Sequence, residues 1–368
     1  MENEPGKTTT RRRFALLALH SAILISCPLL LAAAGGCGPS SNARVVLYCA
    51  QDEDFAQESL AEFTKRTGLA VSPKFDTEAG KSVELFAEIQ VEQDRPRCDV
   101  FWNNEILNTI LLQRQGLLVP YASPAGAPYP ASCHGPDDTW HAFANRARVM
   151  IVNTQLVPEK DRPRSILDLA DPRWKGRVVI AKPLHGTSLT MAASLFDVLG
   201  EDGAKKFYQD LMGNGLQIAP GNKQVAEWVG QGQTPGGQQV SVGITDTDDT
   251  LEEIASGSPV AMIFPDRDAP KDSKLGTLFI PNTLCIIRGG PNLEGAKKLV
   301  DYLLSPEVET RLAETKGHQI PLNPEVKAKL PPQMETPKTV KAMQVDFEHA
   351  ADLLPKVQEF VLHEFGGR

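Results

Sequence analysis

The sequence predicts an α/β protein of two lobes, each a mainly parallel sheet with flanking helices, and three observations carry that expectation. Short apolar runs alternate with segments of helical spacing from Val45 onward. The 368-residue chain is longer than one domain of about 100–200 residues. A strand-like segment at Ala147–Asn153 then marks where the chain enters a second lobe. The composition, 41% hydrophobic and 23% charged, is that of a globular protein and excludes a disordered or fibrous chain. With 38 Lys+Arg against 46 Asp+Glu and no basic run interleaved with aromatics, nucleic acid is excluded as a partner.

The chain opens on Arg11-Arg12-Arg13-Phe14 and an apolar stretch to Ala34, so residues 1–36 are expected to be an export signal. The arginines resemble the twin-arginine pattern; the general secretory route is the alternative. Ala34-Gly35-Gly36-Cys37 resembles a bacterial lipobox, with Ala34 where Leu is usual, and implies a lipid on Cys37. An uncleaved anchor is the competing reading, since about 20 apolar residues span a bilayer; Pro28 and the small residues before Cys37 oppose it. Residues 37–44 read as a tether. The expected location is the outer face of the cytoplasmic membrane, where disulfides are permitted. Cys49, Cys98, Cys133 and Cys285 are scattered and read as buried or singly paired thiols, not as a metal site.

In order, Val45–Cys49 reads as a strand. Ala56, Leu60 and Phe63 form one helical face, stopped by Gly68. Val71–Phe75 is a strand, Val83, Phe86 and Ala87 repeat the helical spacing, Cys98–Trp102 is a strand, and a helix follows from Ile106 to Gln115. In such a sheet the ligand lies beyond the carboxyl ends of the strands. Asp52 and Asn103-Asn104-Glu105 are therefore candidate site residues, with helix capping by Asp52 or Asn104 as the alternative role. Further on, strand Val178–Ala181 precedes His185-Gly186-Thr187-Ser188, which opens a helix over Leu189–Leu199 and offers an anion cradle of N–H groups and hydroxyls. Thr187 or Ser188 acting only as an N-cap is the competing role.

The ordered set Arg66-Thr67-Gly68, Cys98–Trp102, Gln115–Tyr121, Arg146–Val149 with Asn153, Asp171–Gly176, Gly186-Thr187, Gly221–Val225, Ser256–Val260 and Ala296–Glu307 resembles the extracellular solute-binding proteins of ABC importers. The branch it is similar to is the ferric-iron-binding one, which also has members for phosphorylated sugars and phosphonates. The resemblance implies a type II periplasmic-binding-protein-like clamp. Residues 45–148 and 278–320 would form the first lobe, and residues 149–277 and 321–368 the second. Crossings near Arg148–Asn153 and Leu278–Ile287 would join them. It further implies a monomer that carries a small molecule or ion to permease subunits, with no catalytic cofactor.

In ferric members a tyrosine pair on the second lobe and a His or Tyr and an acid on the first hold the metal. Here the matching segment Gly243–Asp249 has no tyrosine, and the first-lobe positions fall at Asp52 and at Asn104 or Glu105. The favoured ligand is therefore a small oxyanion-bearing solute such as a sugar phosphate or phosphonate. It would be held by His185, Gly186, Thr187 and Ser188 with Asn222 and Arg146 or Arg148, while Asp246, Thr247, Asp248 and Asp249 face it from the second lobe. Ferric iron or another hard cation at Asp52, Asp246, Asp248 and Asp249, with a bound anion, is the alternative. One of the three carboxylates is expected to cap the helix over Thr250–Ala255. As loop-edge groups, Asp246 and Asp248 are expected to contribute about 1 kcal/mol or less to stability. An exported enzyme is the remaining alternative, but Gly80-Lys81-Ser82 lacks the glycine a phosphate loop needs, and no nucleophile elbow or zinc motif is present.

Overall fold

The computed structural model describes residues 44–76 and 83–367. The export signal, Cys37, the tether up to residue 43 and Gly80-Lys81-Ser82 lie outside them.

Strand β1 (Arg44–Cys49) enters helix α1 (Glu53–Thr67), whose ends follow the helix dipole: Glu53 and Asp54 stand in the first turn and Lys65 and Arg66 in the last. Gly68 terminates it at φ 70°, a left-handed conformation that a side chain would resist. Strand β2 (Ala70–Phe75) pairs parallel with β1, as does β3 (Val100–Asn103). Helix α2 (Glu84–Val91) forms where expected, but it buries Leu85 and Ile89 while Ala87 is exposed. Its sequence is apolar enough to offer two helical faces, and contact with the sheet selects the other one. Helix α3 (Leu107–Arg114) and the short β4 (Leu118–Val119) follow.

Strand β5 (Trp140–Asn153) is longer than the segment recognised from sequence and is buried at every position. Its first half carries His141, Asn145 and Arg146, polar residues that disguise a fully buried strand. Next come β6 (Val178–Ala181), α4 (Gly186–Gly213), β7 (Gln217–Ala219), α5 (Asn222–Gln231), β8 (Val242–Asp246), α6 (Thr247–Ala255) and β9 (Val260–Ile263). Gly200, at φ 74°, divides α4 into two helical stretches, so the expected end at Leu199 corresponds to a real break. Strand β10 (Phe279–Ile287), α7 (Leu293–Leu303), α8 (Pro306–Glu314) and α9 (Phe347–Phe365) complete the described chain. Ser305 stands at the N-cap of α8 with Pro306 in the first turn, although its hydroxyl makes no capping bond.

The strand order is β2-β1-β3-β10-β5-β8-β6-β7, with β4 beside β10 and β9 beside β5. The outer pairs β1–β2, β1–β3, β6–β7 and β6–β8 are parallel, each linked through helices. The two long central strands run antiparallel to their neighbours. Up to Ala147, β5 pairs with β10; from Arg148 it pairs with β8 and β9. Helix α9 packs on both α3 and α4: Arg114 bonds Glu348 and Asp352, and Phe196 and Tyr208 meet Phe360. Cys49, Cys98, Cys133 and Cys285 are all buried thiols with no disulfide among them, and burial pushes the thiols of Cys98, Cys133 and Cys285 up. Among the described residues no helix is long and apolar enough to cross a membrane.

Candidate functional site

Five parallel-strand ends open into one narrow cleft of about 50 Å³. The ends of β1 and β3 bring Asp52 and Asn104, β6 brings Lys182 and the His185–Ser188 turn, β7 brings Pro220–Asn222, and β8 brings Asp246 with Asp248 and Asp249. Arg146 reaches the same cleft from β5. Eleven of the residues singled out in the sequence thus share one lining, because loops at the carboxyl ends of parallel strands point the same way. Asn103, Glu105, Arg148 and Thr247 are buried directly behind it.

Arg148 organises the β8 side. At 2% exposure, its Nη1 donates to Asp246 Oδ1 at 2.7 Å, Asn222 Oδ1 at 3.0 Å and Thr187 Oγ1 at 3.1 Å. Thr187 Oγ1 in turn donates to Asp246 Oδ2 at 2.7 Å, and Asn222 Nδ2 donates to the same oxygen at 3.1 Å. The network joins the starts of α4, α5 and α6. Asp246, at 2% exposure, is therefore a buried ion-pair partner and not a loop-edge carboxylate, which overturns the small stability contribution expected of it.

Asp246 occupies the N-cap position of α6 but makes no capping side-chain bond; nor do His185 and Gly221, the N-cap residues of α4 and α5. Thr187 and Ser188 lie inside the first turn of α4 and spend their hydroxyls on the network, so the capping role is displaced. Asp249 Oδ2 accepts from Thr245 Oγ1 at 2.9 Å. One carboxylate oxygen from each of Asp246, Asp248 and Asp249 lies within 4.8 Å of the other two.

Arg146 is the second buried cation, donating from Nη2 to Gln51 Oε1 at 2.6 Å and lying 3.5 Å from Asp248 Oδ2. Burial alone would lower its pKa, but the surrounding carboxylates, Asp248 foremost, reverse this and raise it. Its Nε finds no hydrogen-bond partner although buried. On the β3 side Glu105 behaves differently. Its carboxylate accepts from the Leu107 and Asn108 N–H groups at 2.5 and 3.0 Å, from Asn103 Nδ2 at 2.8 Å and from Thr190 Oγ1 of α4 at 3.2 Å. Burial raises its pKa against the lowering effect of these bonds.

Sequence reasoning did not single out Lys182, Pro220 and Gly221 as site residues. The last two follow β7, three residues too short to show a strand period; Lys182 was detectable as the residue just past β6. All five tyrosines lie away from the cleft lining, so the loss of the tyrosine pair at Gly243–Asp249 is not made good from elsewhere in the chain.

Comparison with known proteins agrees with this architecture. The chain is 26% identical over 336 residues to the major ferric iron-binding protein of Neisseria meningitidis, covering 88% of this chain and 96% of that one. Iron-bound HitA from Pseudomonas aeruginosa superposes with a TM-score of 0.75 at 20% identity, covering 87% of this chain and 99% of that chain. AfuA from Actinobacillus pleuropneumoniae, with fructose-6-phosphate bound, gives 0.73 at 24% identity, covering 88% and 98%. Residues 110–347 match the family model for the bacterial extracellular solute-binding proteins. The chain therefore belongs to that family, the non-enzymatic substrate-binding components of ABC importers, and its relatives include the ferric-iron-binding branch.

Proposed function

We propose that this protein captures ferric iron together with a small oxyanion and hands both to a membrane permease. The observation that carries the reading is the juxtaposition, in one narrow cleft, of three clustered carboxylates with a buried arginine and three helix starts that have no side-chain N-cap. A hard cation is suited by the carboxylate oxygens of Asp246, Asp248 and Asp249, with Asp52 facing the same space. Helix N-termini and guanidinium groups favour an oxyanion. With no tyrosine in the lining, the anion would supply the remaining anionic oxygens, so iron alone should bind weakly. The similarity to ferric-iron-binding relatives supports iron over the sugar phosphate favoured by sequence alone.

Calorimetric titration of metal-stripped protein with ferric ion, in the presence and absence of citrate or phosphate, tests this. Binding that strengthens at least tenfold with the anion is expected. Micromolar binding of fructose-6-phosphate with no iron uptake would overturn it in favour of a phosphorylated solute. That second reading draws on Thr187 and Ser188 at the start of α4 and on the similarity to AfuA.

The handover of β5 from β10 to β8 at Ala147/Arg148 suits a hinge between lobes 45–148 plus 278–320 and 149–277 plus 321–368. Closure would show as ligand-induced compaction in small-angle scattering, and identical profiles at saturation would count against it. The lipobox-like Cys37 would tether the monomer at the membrane. Equal palmitate labelling of wild type and Cys37→Ser would remove that part.

A further inference from the structure

Away from the solute cleft, the turn leading into β5 gathers two histidines and a carboxylate. His134 and His141 form an antiparallel bridge, and Gly135 N–H donates to the Trp140 carbonyl at 2.9 Å. The two histidines are thus a non-hydrogen-bonded cross-strand pair, the kind whose side chains approach most closely. Their rings meet edge to face with centroids 5.2 Å apart. Between them Asp137 and Asp138 both adopt φ 53°, which reverses the chain and returns the Asp138 carboxylate to 2.8 Å from His134 Nδ1. One donor atom from each of His134, Asp138 and His141 lies within 4.8 Å of the other two.

The condition of His141 points to a ligand. The residue is 3% exposed, and its Nε2 lies 2.8 Å from the Tyr121 carbonyl, an acceptor, so Nε2 carries the proton. Nδ1 is then the nitrogen with the lone pair, and it is buried with no hydrogen-bond partner. A ring with one nitrogen donated to a carbonyl and a bare lone pair on the other is oriented as metal-ligating imidazoles are. A core histidine held only for packing would have no reason to leave that acceptor unsatisfied.

We propose that His134, Asp138 and His141 bind a divalent transition-metal ion of borderline softness, at a site separate from the solute cleft. Two imidazoles and one carboxylate are a donor set for ions of the Zn²⁺ class, and water would complete the coordination. Binding exchanges the His134–Asp138 hydrogen bond for metal–ligand bonds, and as Nδ1 gives up its proton Nε2 carries one, so that His134 ligates as a neutral imidazole. His134 also lines an open cavity of about 810 Å³ beside α3 and the start of α9, which gives the ion and its water a route in. The bound ion would fasten the turn before β5 to that strand. The donor set differs from the Asp246, Asp248 and Asp249 cluster of the cleft, whose carboxylates suit a harder ion.

The test is Zn²⁺ binding to chelator-treated full-length protein, read by calorimetry and native mass spectrometry. It compares wild type with His134→Gln/His141→Gln and with Asp248→Asn/Asp249→Asn. One equivalent should persist in the aspartate variant, and Zn²⁺ affinity should fall at least 100-fold in the histidine variant. Zn²⁺ uptake that disappears with the aspartates and survives loss of the histidines would overturn the assignment. Wild-type protein offers a check that needs no substitution: the ring nitrogens of His134 and His141 should shift in long-range ¹H–¹⁵N spectra at one equivalent of Zn²⁺. Unmoved signals would sink the proposal.

Discussion

At the end of β3, Glu105 turns its carboxylate back onto the first N–H groups of α3, whereas at the end of β8, Asp246 stands at the N-cap of α6 and turns away toward Arg148, Thr187 and Asn222. Both are acidic, both are 2% exposed, and both stand at the carboxyl end of a buried strand. One satisfies its own helix; the other joins three helices and leaves their starts to whatever enters the cleft. An acidic residue before a helix therefore has two distinct uses, and the difference is whether a buried cation competes for it. On the β8 side Arg148 does so, while among the described residues the hydrogen-bond donors to Glu105 are all uncharged.

Arg148→Leu should break this contrast most severely. It leaves Asp246 buried without its cation, and removing one partner of a buried pair costs about 3–5 kcal/mol. Urea denaturation checks this; a loss below about 1 kcal/mol would mean that water or another residue replaces the guanidinium.

Glu105→Ala should cost less, about 0.5–2 kcal/mol, the range for losing a helix cap. Glu105→Gln sharpens the same point through pH. Burial raises the folded-state pKa above the ordinary 4.5, so the protonated form is favoured on folding. The stability this group contributes is complete below that ordinary value and is lost as pH rises through the folded value. Wild type should therefore lose stability relative to Glu105→Gln across that interval. Parallel stability–pH curves for the two proteins would show that this carboxylate does not titrate as described.

Asp52→Ala should have the smallest effect on folding, within about 0.5 kcal/mol, because the side chain is only half-buried and makes no cap for α1. Its effect should appear in binding, as a roughly tenfold loss of affinity for the ferric–anion complex by calorimetry, about 1.4 kcal/mol. Unchanged affinity would remove the β1 end from the site.

Much of this arrangement was legible in the sequence. Val45–Cys49, the face of Ala56, Leu60 and Phe63, and Gly68 located β1 and α1, because strand period, helix period and a left-handed stop are local properties. The same end-of-strand reasoning found Asp52, Asn104 and the His185–Ser188 turn, since parallel topology sends every such loop to one edge, whereas Asp246–Asp249 came from the resemblance to ferric members. The tertiary structure decided what local pattern cannot carry. It extended β5 back to Trp140, because burial on both faces lets polar residues stand in a central strand once each finds a partner. It selected Leu85 and Ile89 over Phe86 and Ala87 as the buried face of α2, since an apolar helix has more than one face to offer. It also made Asp246 the partner of Arg148, 98 positions away in the chain, and so turned a residue that reads as a loop-edge carboxylate into the centre of a buried network. Sequence sets which groups reach the edge of the sheet, and three-dimensional charge pairing sets which of them remain for the ligand.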